Sequence, residues 1–329
     1  MKNIKTTIYL GCTLIGLAAC QNETLEFTSQ DSLLPMSVLA RIGSTPVIQA
    51  RYAGDTPNEA AFATGDAIGI FMDNEDVVRW ENKTMGWESD KPVYWPDTDQ
   101  THTFQAFYPY VEALTPASIS MPSLKTQDGS MTSVAACDFL VATTTQTHGT
   151  NGTVSFQGEG KSFKHVSSLV SLFVKPKEDL AGSTLKEITL AGGNIVAPGT
   201  YSFATGKVSL NPADTESDTL TIRPNRSIGT NETDSIPYHF VLNEKKNTSE
   251  SPLTLILKYQ KGTDNYTAKV ENFAANTLTG GNQYLFSLTI KNNKVVISGN
   301  TISEWGVGNT LQDIVINSTK DEPAGTEEP

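Results

Sequence analysis

Cysteine is nearly absent from this chain, with three in 329 residues, and that scarcity excludes a disulfide framework as the source of its stability. Cys12 and Cys20 fall in an N-terminal stretch with the character of a targeting segment, which leaves Cys137 alone in the body. It sits in the apolar run Val134-Ala-Ala-Cys-Asp-Phe-Leu-Val141 and is expected as a small buried residue, since no activating base stands beside it. Histidine is as scarce. His102, His148, His165 and His239 are isolated and lack the H-E-x-x-H or H-x-H spacing of a metal site. No G-x-S-x-G elbow surrounds Gly43-Ser44 or Gly182-Ser183. Gly65-Asp66 and Gly192-Gly193 precede no helical pattern that would cradle a phosphate. Beyond residue 19 no apolar run reaches the roughly 20 residues a membrane helix needs. Basic residues are outnumbered, 24 against 36 acidic, which argues against nucleic acid or an anionic membrane surface as the main partner.

The N-terminus carries the first positive signal. Met1-Lys-Asn-Ile-Lys5 is a short basic region, Thr6 to Ala19 is uncharged, and Leu17-Ala18-Ala19-Cys20 follows. This is the pattern of an export signal. The last four residues resemble a bacterial lipobox, in which Cys20 becomes the lipidated first residue of the mature chain. An ordinary secretory signal cut after Ala18 or Ala19 is the other reading. Removing residues 1–19 takes away Lys2 and Lys5 and no acid, so the formal charge moves from −12 to −14. About 310 residues then remain, more than one typical core, and two domains are expected.

Thr, Ser, Gly and Asn are abundant, and helical blocks of Lys, Glu, Ala and Leu are few, which points to an all-β chain. Short apolar or alternating runs divided by Gly, Pro, Asn and Asp recur from Met36–Arg41 and Val47–Tyr52 through Ala67–Met72, Thr103–Tyr110, Val166–Val174 and Gln283–Lys291 to Val295–Ser298. Lys261-Gly-Thr-Asp264 and Lys291-Asn-Asn-Lys294 each join two such runs as hairpins. Only Pro57–Ala63 and a stretch near Val166 suggest short helices. The expected organisation is a signal peptide (1–19), a tether (20–35), two β-sandwich domains in series (36–160 and 161–318) and an acidic disordered tail (319–329).

Candidate chemistry is thin. Asp73, Glu75 and Asp76, with Asp97 and Asp99, supply oxygens of the kind calcium prefers, but no complete calcium loop surrounds them, so neither a metal nor a cofactor is expected. Paired glycosidase acids are assembled by the fold rather than by spacing, so spacing leaves that activity open. Trp80 and Trp87, in a loop rich in Gly, Asn and Asp, are candidates for an exposed pair that stacks on sugars, while Trp95 and Phe107 are expected in the core. Asp31-Ser-Leu33, Asp218-Thr-Leu220 and Asp234-Ser-Ile236 resemble O-glycosylation acceptor triplets of exported proteins.

Six blocks occur in a fixed order: Phe62-Ala-Thr-Gly-Asp-Ala-Ile-Gly-Ile-Phe71, Val93-Tyr-Trp-Pro96 with His102-Thr-Phe-Gln-Ala-Phe-Tyr-Pro-Tyr110, Asp138-Phe-Leu-Val-Ala142, Phe163-Lys-His-Val-Ser-Ser-Leu-Val170, Gly281-Asn-Gln-Tyr-Leu-Phe286 and Ile302-Ser-Glu-Trp305. Together they resemble the fimbrillin family of Mfa-like proteins over about residues 60–306. The resemblance implies two transthyretin-like β-sandwich domains in tandem, no enzymatic activity, and export as an outer-membrane lipoprotein that becomes part of a surface fimbria. It also implies assembly by donor-strand exchange with other pilus subunits. In that process an Arg-specific protease removes the N-terminal strand, and a strand from the next subunit fills the groove left behind. Arg51, about ten residues before the Phe62 block, and Arg41 are the candidate processing sites; a solvated strand-end arginine is the plainer role for either. Leu311, Ile314, Val315 and Ile316 form an apolar segment that is either a donor strand or the last strand of the second domain. The competing expectation is a monomeric surface lipoprotein that binds polysaccharide.

Overall fold

Alternating side chains and left-handed turn residues divide this chain into many short strands. The computed structural model describes residues 34–43, 61–113, 115–178, 181–211, 218–231, 235–245, 252–271, 277–291, 294–304 and 313–320. The first strands are β1 (Leu34–Pro35), β2 (Ser37–Ala40), β3 (Ala67–Met72), β4 (Val78–Lys83), β5 (Gly86–Ser89), β6 (Tyr94–Trp95), β7 (His102–Tyr108) and β8 (Ile119–Ser120). A helix, α1 (Met131–Cys137), precedes β9 (Leu140–Gln146), β10 (Thr153–Phe156), β11 (Lys164–His165) and β12 (Ser168–Glu178). Then come β13 (Thr184–Ala191), β14 (Gly199–Ser202), β15 (Lys207–Leu210), β16 (Thr219–Ile222), β17 (Arg226–Ser227) and β18 (Ile236–Leu242). The last are β19 (Thr254–Lys261), β20 (Asp264–Val270), β21 (Asn282–Lys291), β22 (Lys294–Glu304) and β23 (Asp313–Lys320).

The architecture is all-β. Strands β11-β9-β7-β3-β4-β5 form an antiparallel sheet in that order. One core lies between it and the segment carrying β1, β2 and β10, and contains Ile68, Ile70, Trp80, Trp95, Phe104, Phe156 and Phe163. The later strands run in the order β16-β13-β19-β20-β23-β22-β21-β12-β18, with β17 on β13. Here β23 pairs with β22 through residues 313–317 and with β20 through 318–320, so a single strand passes from one layer of the sandwich to the other. Both predicted hairpins are present, since Lys261 pairs with Asp264 and Lys291 with Lys294.

Three local expectations are corrected. The stretch near Val166 that suggested a helix runs into the long strand β12. Among the described residues the helix is α1 instead, in a stretch of Met, Thr, Ser and Ala that carries no helical periodicity. It starts because Ser130 is a good N-cap: its Oγ accepts the Ser133 N–H at 3.2 Å. The segment around Trp80, expected as a loop, is the hairpin β4–β5. Its polar residues Arg79 and Glu81 face outward in an ion pair of 2.9 Å, while Trp80 between them turns inward. Leu34 and Pro35, assigned to the tether, form β1, and Thr319 and Lys320, assigned to the tail, lie in β23. The strand expected over 47–52 and the first four residues of the helix expected over 57–63 lie outside the described residues.

The stretch from 115 to 137 packs with later strands. β8 pairs with β14, and Leu124, Val134 and Cys137 belong to the large apolar cluster built on β12, β13, β18, β19 and β21. Gln127 deals with the open edge of β18: its Nε2 donates to the Val241 carbonyl at 2.8 Å and its Oε1 accepts the Val241 N–H at 2.7 Å. A side-chain amide thus stands in for the missing neighbouring strand. Phe71, Phe107, Phe139 and Tyr201 close a third cluster that takes residues from both sides of position 160.

Candidate functional site

The N-terminal strand is joined to its neighbours through short ladders and single bridges. From 34 to 42 every second residue turns inward: Leu34, Met36, Val38, Ala40 and Ile42 pack on the first core, with Val38 and Ile42 buried, while Leu39 is 48% exposed. Burial of five such side chains contributes on the order of 5–10 kcal/mol. The backbone is held by short ladders and single hydrogen bonds. β2 runs parallel to β10 in the register Ser37 with Thr153 to Ala40 with Phe156, its only ladder among the described residues. Parallel pairing is slightly weaker per residue than antiparallel pairing. Beyond that ladder the strand pairs with β6 through two residues and with Phe163 through the Ile42 bridge, and β2 also lies against β5. Ser37 Oγ and Thr153 Oγ1 are 2.8 Å apart.

The groove beneath is lined by large rings. Phe156 and Phe163 are fully buried, with centroids 5.6 Å apart, and Phe62 meets Phe163 edge-on at 5.1 Å. Trp95 donates its Nε1–H to the Gly152 carbonyl at 2.8 Å. Gly152 is required there: its φ is +63°, and a Cβ would lie 2.6 Å from the Pro35 carbonyl oxygen.

The ordered sequence blocks also contact one another. Asp66 accepts the Tyr108 hydroxyl at 3.0 Å, joining the Gly-Asp block to the Tyr-Pro block. Asp138, fully buried, lies 2.9 Å from His165 Nδ1, joining the next two. The Tyr284 hydroxyl accepts the Thr279 N–H at 2.7 Å beneath the start of β21. His102 sits between two carboxylates, with Nδ1 2.5 Å from Asp73 and Nε2 3.4 Å from Asp97. So neither His102 nor His165 is isolated in space; partners 29 and 27 residues away are not visible from local spacing. Among the described residues no three His, Cys, Asp or Glu side chains group to hold a metal, and no helix is long and apolar enough to cross a membrane.

The candidate residues fall in different places. Cys20, Arg51 and Leu311 lie outside the described residues. Arg41 ends the N-terminal strand with both backbone groups engaged: its N–H donates to Phe156 at 3.2 Å and its carbonyl accepts from Phe163 at 2.9 Å. Ile314, Val315 and Ile316 lie in β23, paired with Ile297, Val296 and Val295. The exposed tryptophan pair does not exist. Trp80 is 3% exposed within the core, and Trp87 is half-buried against Phe62, with ring centroids 5.1 Å apart. The β4 alternation carries Trp80 inward, so the two rings present no common sugar-binding face. Of the glycosylation-like triplets, Asp218-Thr-Leu220 opens β16 with Thr219 exposed, while Asp31-Ser-Leu33 and Asp234 lie outside the described residues.

Cys137 donates its S–H to the Ser123 carbonyl at 3.3 Å, and burial, with Asp138 and Asp128 nearby, pushes its thiol from 9.0 up to about 11. Cys137 in the native chain is therefore expected to resist iodoacetamide at pH 8 and to react only after unfolding, which mass spectrometry of its peptide reads directly. The raised value also sets a pH window. Stability linked to this thiol is complete below about pH 9 and falls, by on the order of 2 kcal/mol, as the pH approaches 11.

The fimbrillin-like family model matches residues 53–305. The chain belongs to that family, whose members are structural rather than enzymatic proteins. Its fold is that of two solved structures. A candidate cell adhesion protein from Bacteroides ovatus ATCC 8483 is 18% identical with a TM-score of 0.57, the match covering 84% of this chain and 100% of that one. A candidate cell adhesion protein from Bacteroides uniformis ATCC 8492 is 17% identical with a TM-score of 0.56, at the same two coverages. No curated protein matches the chain in sequence.

Proposed function

We propose that this protein is a subunit of a surface fimbria serving cell adhesion, exported as a lipoprotein held at the outer membrane through Cys20 and assembled by strand exchange. Cleavage after Arg51 by an Arg-specific protease frees the segment that contains β1 and β2, which leaves the groove, and a strand of a neighbouring subunit takes its place. Family membership supports the fimbrial role and a place at the cell surface among other fimbrial components. The observation that supports the mechanism is the N-terminal strand itself: five inward side chains over an aromatic groove, with short ladders to β10 and β6 and a bridge to Phe163 along its backbone. Removing it bares a row of backbone groups and an apolar slot, which another strand satisfies.

Of the two arginines, Arg51 is favoured. A protease binds its substrate as an extended strand through the backbone, and that of Arg41 is already bonded on both sides. Cleavage after Arg41 would also leave Ile42 seated in the groove. The segment Ile314–Ile316 is favoured as part of the closing strand of this chain's own second sandwich, because donating β23 would break its ladders with both β22 and β20.

The test is limited Arg-specific proteolysis of the purified mature protein, followed by N-terminal sequencing and sizing. A new terminus at Tyr52 with multimers that survive mild denaturant is the expected result. A cleaved chain that keeps residues 34–43 bound and stays monomeric sinks the assembly mechanism while leaving family and fold untouched.

A further inference from the structure

The fit of the N-terminal strand is uneven along its length, and the loose end adjoins a cleft. Val38 and Ile42 are closed over, whereas Met36 is only partly buried and lines a half-open cleft of about 210 Å³. Ile70, Val78, Trp80 and Phe104 form its apolar lining, with Val93 beside Met36. Glu75, Asp76 and Lys91 also line it. The backbone at this point is fixed, since the Met36 N–H donates to the Val93 carbonyl at 2.9 Å, so a side chain at position 36 has a set direction. Methionine is the flexible filler expected where shape is poorly matched. Trp80 and Phe104, by contrast, are rigid core rings that a flat side chain stacks on well.

We infer that this cleft is the specificity pocket of the groove: it receives an aromatic side chain carried by the incoming strand at the position now held by Met36. The inference rests on the strand-exchange reading. It assigns the resident strand the role of a placeholder that underfills one site, and the partner the role of filling it. The partner is thus an extended segment with alternating apolar residues and an aromatic one over the cleft. The fit over Val38 and Ile42 supplies general affinity, and the cleft selects among segments.

Two measurements test it. In the unprocessed full chain, Met36→Phe and Met36→Trp are expected to raise the melting temperature by a few degrees, and Met36→Ala to lower it. In the chain cleaved by the Arg-specific protease, synthetic peptides copying Leu34–Gly43 with Trp, Phe, Met or Ala at position 36 are compared by fluorescence anisotropy. The aromatic peptides are expected to bind roughly tenfold or more tighter than the Ala peptide. Equal binding by all four, or a Met36→Trp chain less stable than Met36→Ala, overturns the pocket and leaves strand exchange standing. Failure of every peptide to bind overturns both together.

Discussion

Val38→Asp is expected to dislodge the N-terminal strand from the folded chain at a cost of roughly 4 kcal/mol or more, while Leu39→Asp one residue away changes stability by about 0.5 kcal/mol or less. The two positions share a strand, a charge change and a neighbourhood, and differ only in the face they present. Val38 is 5% exposed among Phe156, Phe163 and Trp95, where a carboxylate has neither water nor a cation; Leu39 is 48% exposed. Denaturant unfolding measures the first effect. Trypsin reads the displacement itself, expected for Val38→Asp and not for Leu39→Asp, because a displaced strand releases the Arg41 backbone from Phe156 and Phe163 and makes it cleavable. An equal response of the two variants would show that this strand does not depend on its inward face, and the groove would lose its meaning as a docking site.

Asp138→Ala is expected to destabilise the chain by about 3 kcal/mol or more, well beyond what loss of a surface carboxylate costs. Asp138 is fully buried at the C-terminal end of α1, and its carboxylate lies 2.9 Å from Nδ1 of the equally hidden His165 on β11. The variant strips the imidazole of that acceptor in a place water does not reach. Asp138→Asn keeps an oxygen at hydrogen-bond distance and is expected to recover more than half of the loss. The comparison separates hydrogen bonding from simple packing, and calorimetry of the three chains decides it. If alanine and asparagine behave alike, the pair is only filler between α1 and the strands.

Much of this architecture can be read from the chain because its strands obey a period of two and its turns use residues that tolerate positive φ. The Lys261–Asp264 hairpin is legible for that reason, while β3 in Ala67–Met72 is legible as a continuous apolar run buried on both faces, with Ile68 and Ile70 in one core and Phe71 in another. Other features depend on contacts that no local window contains. The ladder between Ser37–Ala40 and Thr153–Phe156 is parallel and joins segments more than a hundred residues apart, so nothing near Val38 reveals what lies beside it. β4 hides its alternation because Arg79, Glu81 and Lys83 make up its outward face and the inward face itself ends in the polar Asn82. Trp80 therefore reads as a loop aromatic until the sheet shows it buried. α1 is too short to display helical periodicity and is announced only by Ser130. Position 41 shows the limit most plainly: its arginine is conspicuous in sequence, while the bonds that withhold its backbone from a protease belong to Phe156 and Phe163.

The stretch from 115 to 137 also governs how the molecule bears load. β8 is zipped to β14, and the apolar side of α1 is sunk among strands that follow residue 160. Tension applied across the chain meets this stretch as a brace rather than as a thin connector. It must first peel β8 from its neighbour and draw Val134 and Cys137 out of oil into water, two resistances acting at once. A fibre built from such units would stretch little at its internal joints and would concentrate its compliance where one subunit's strand lies in the next.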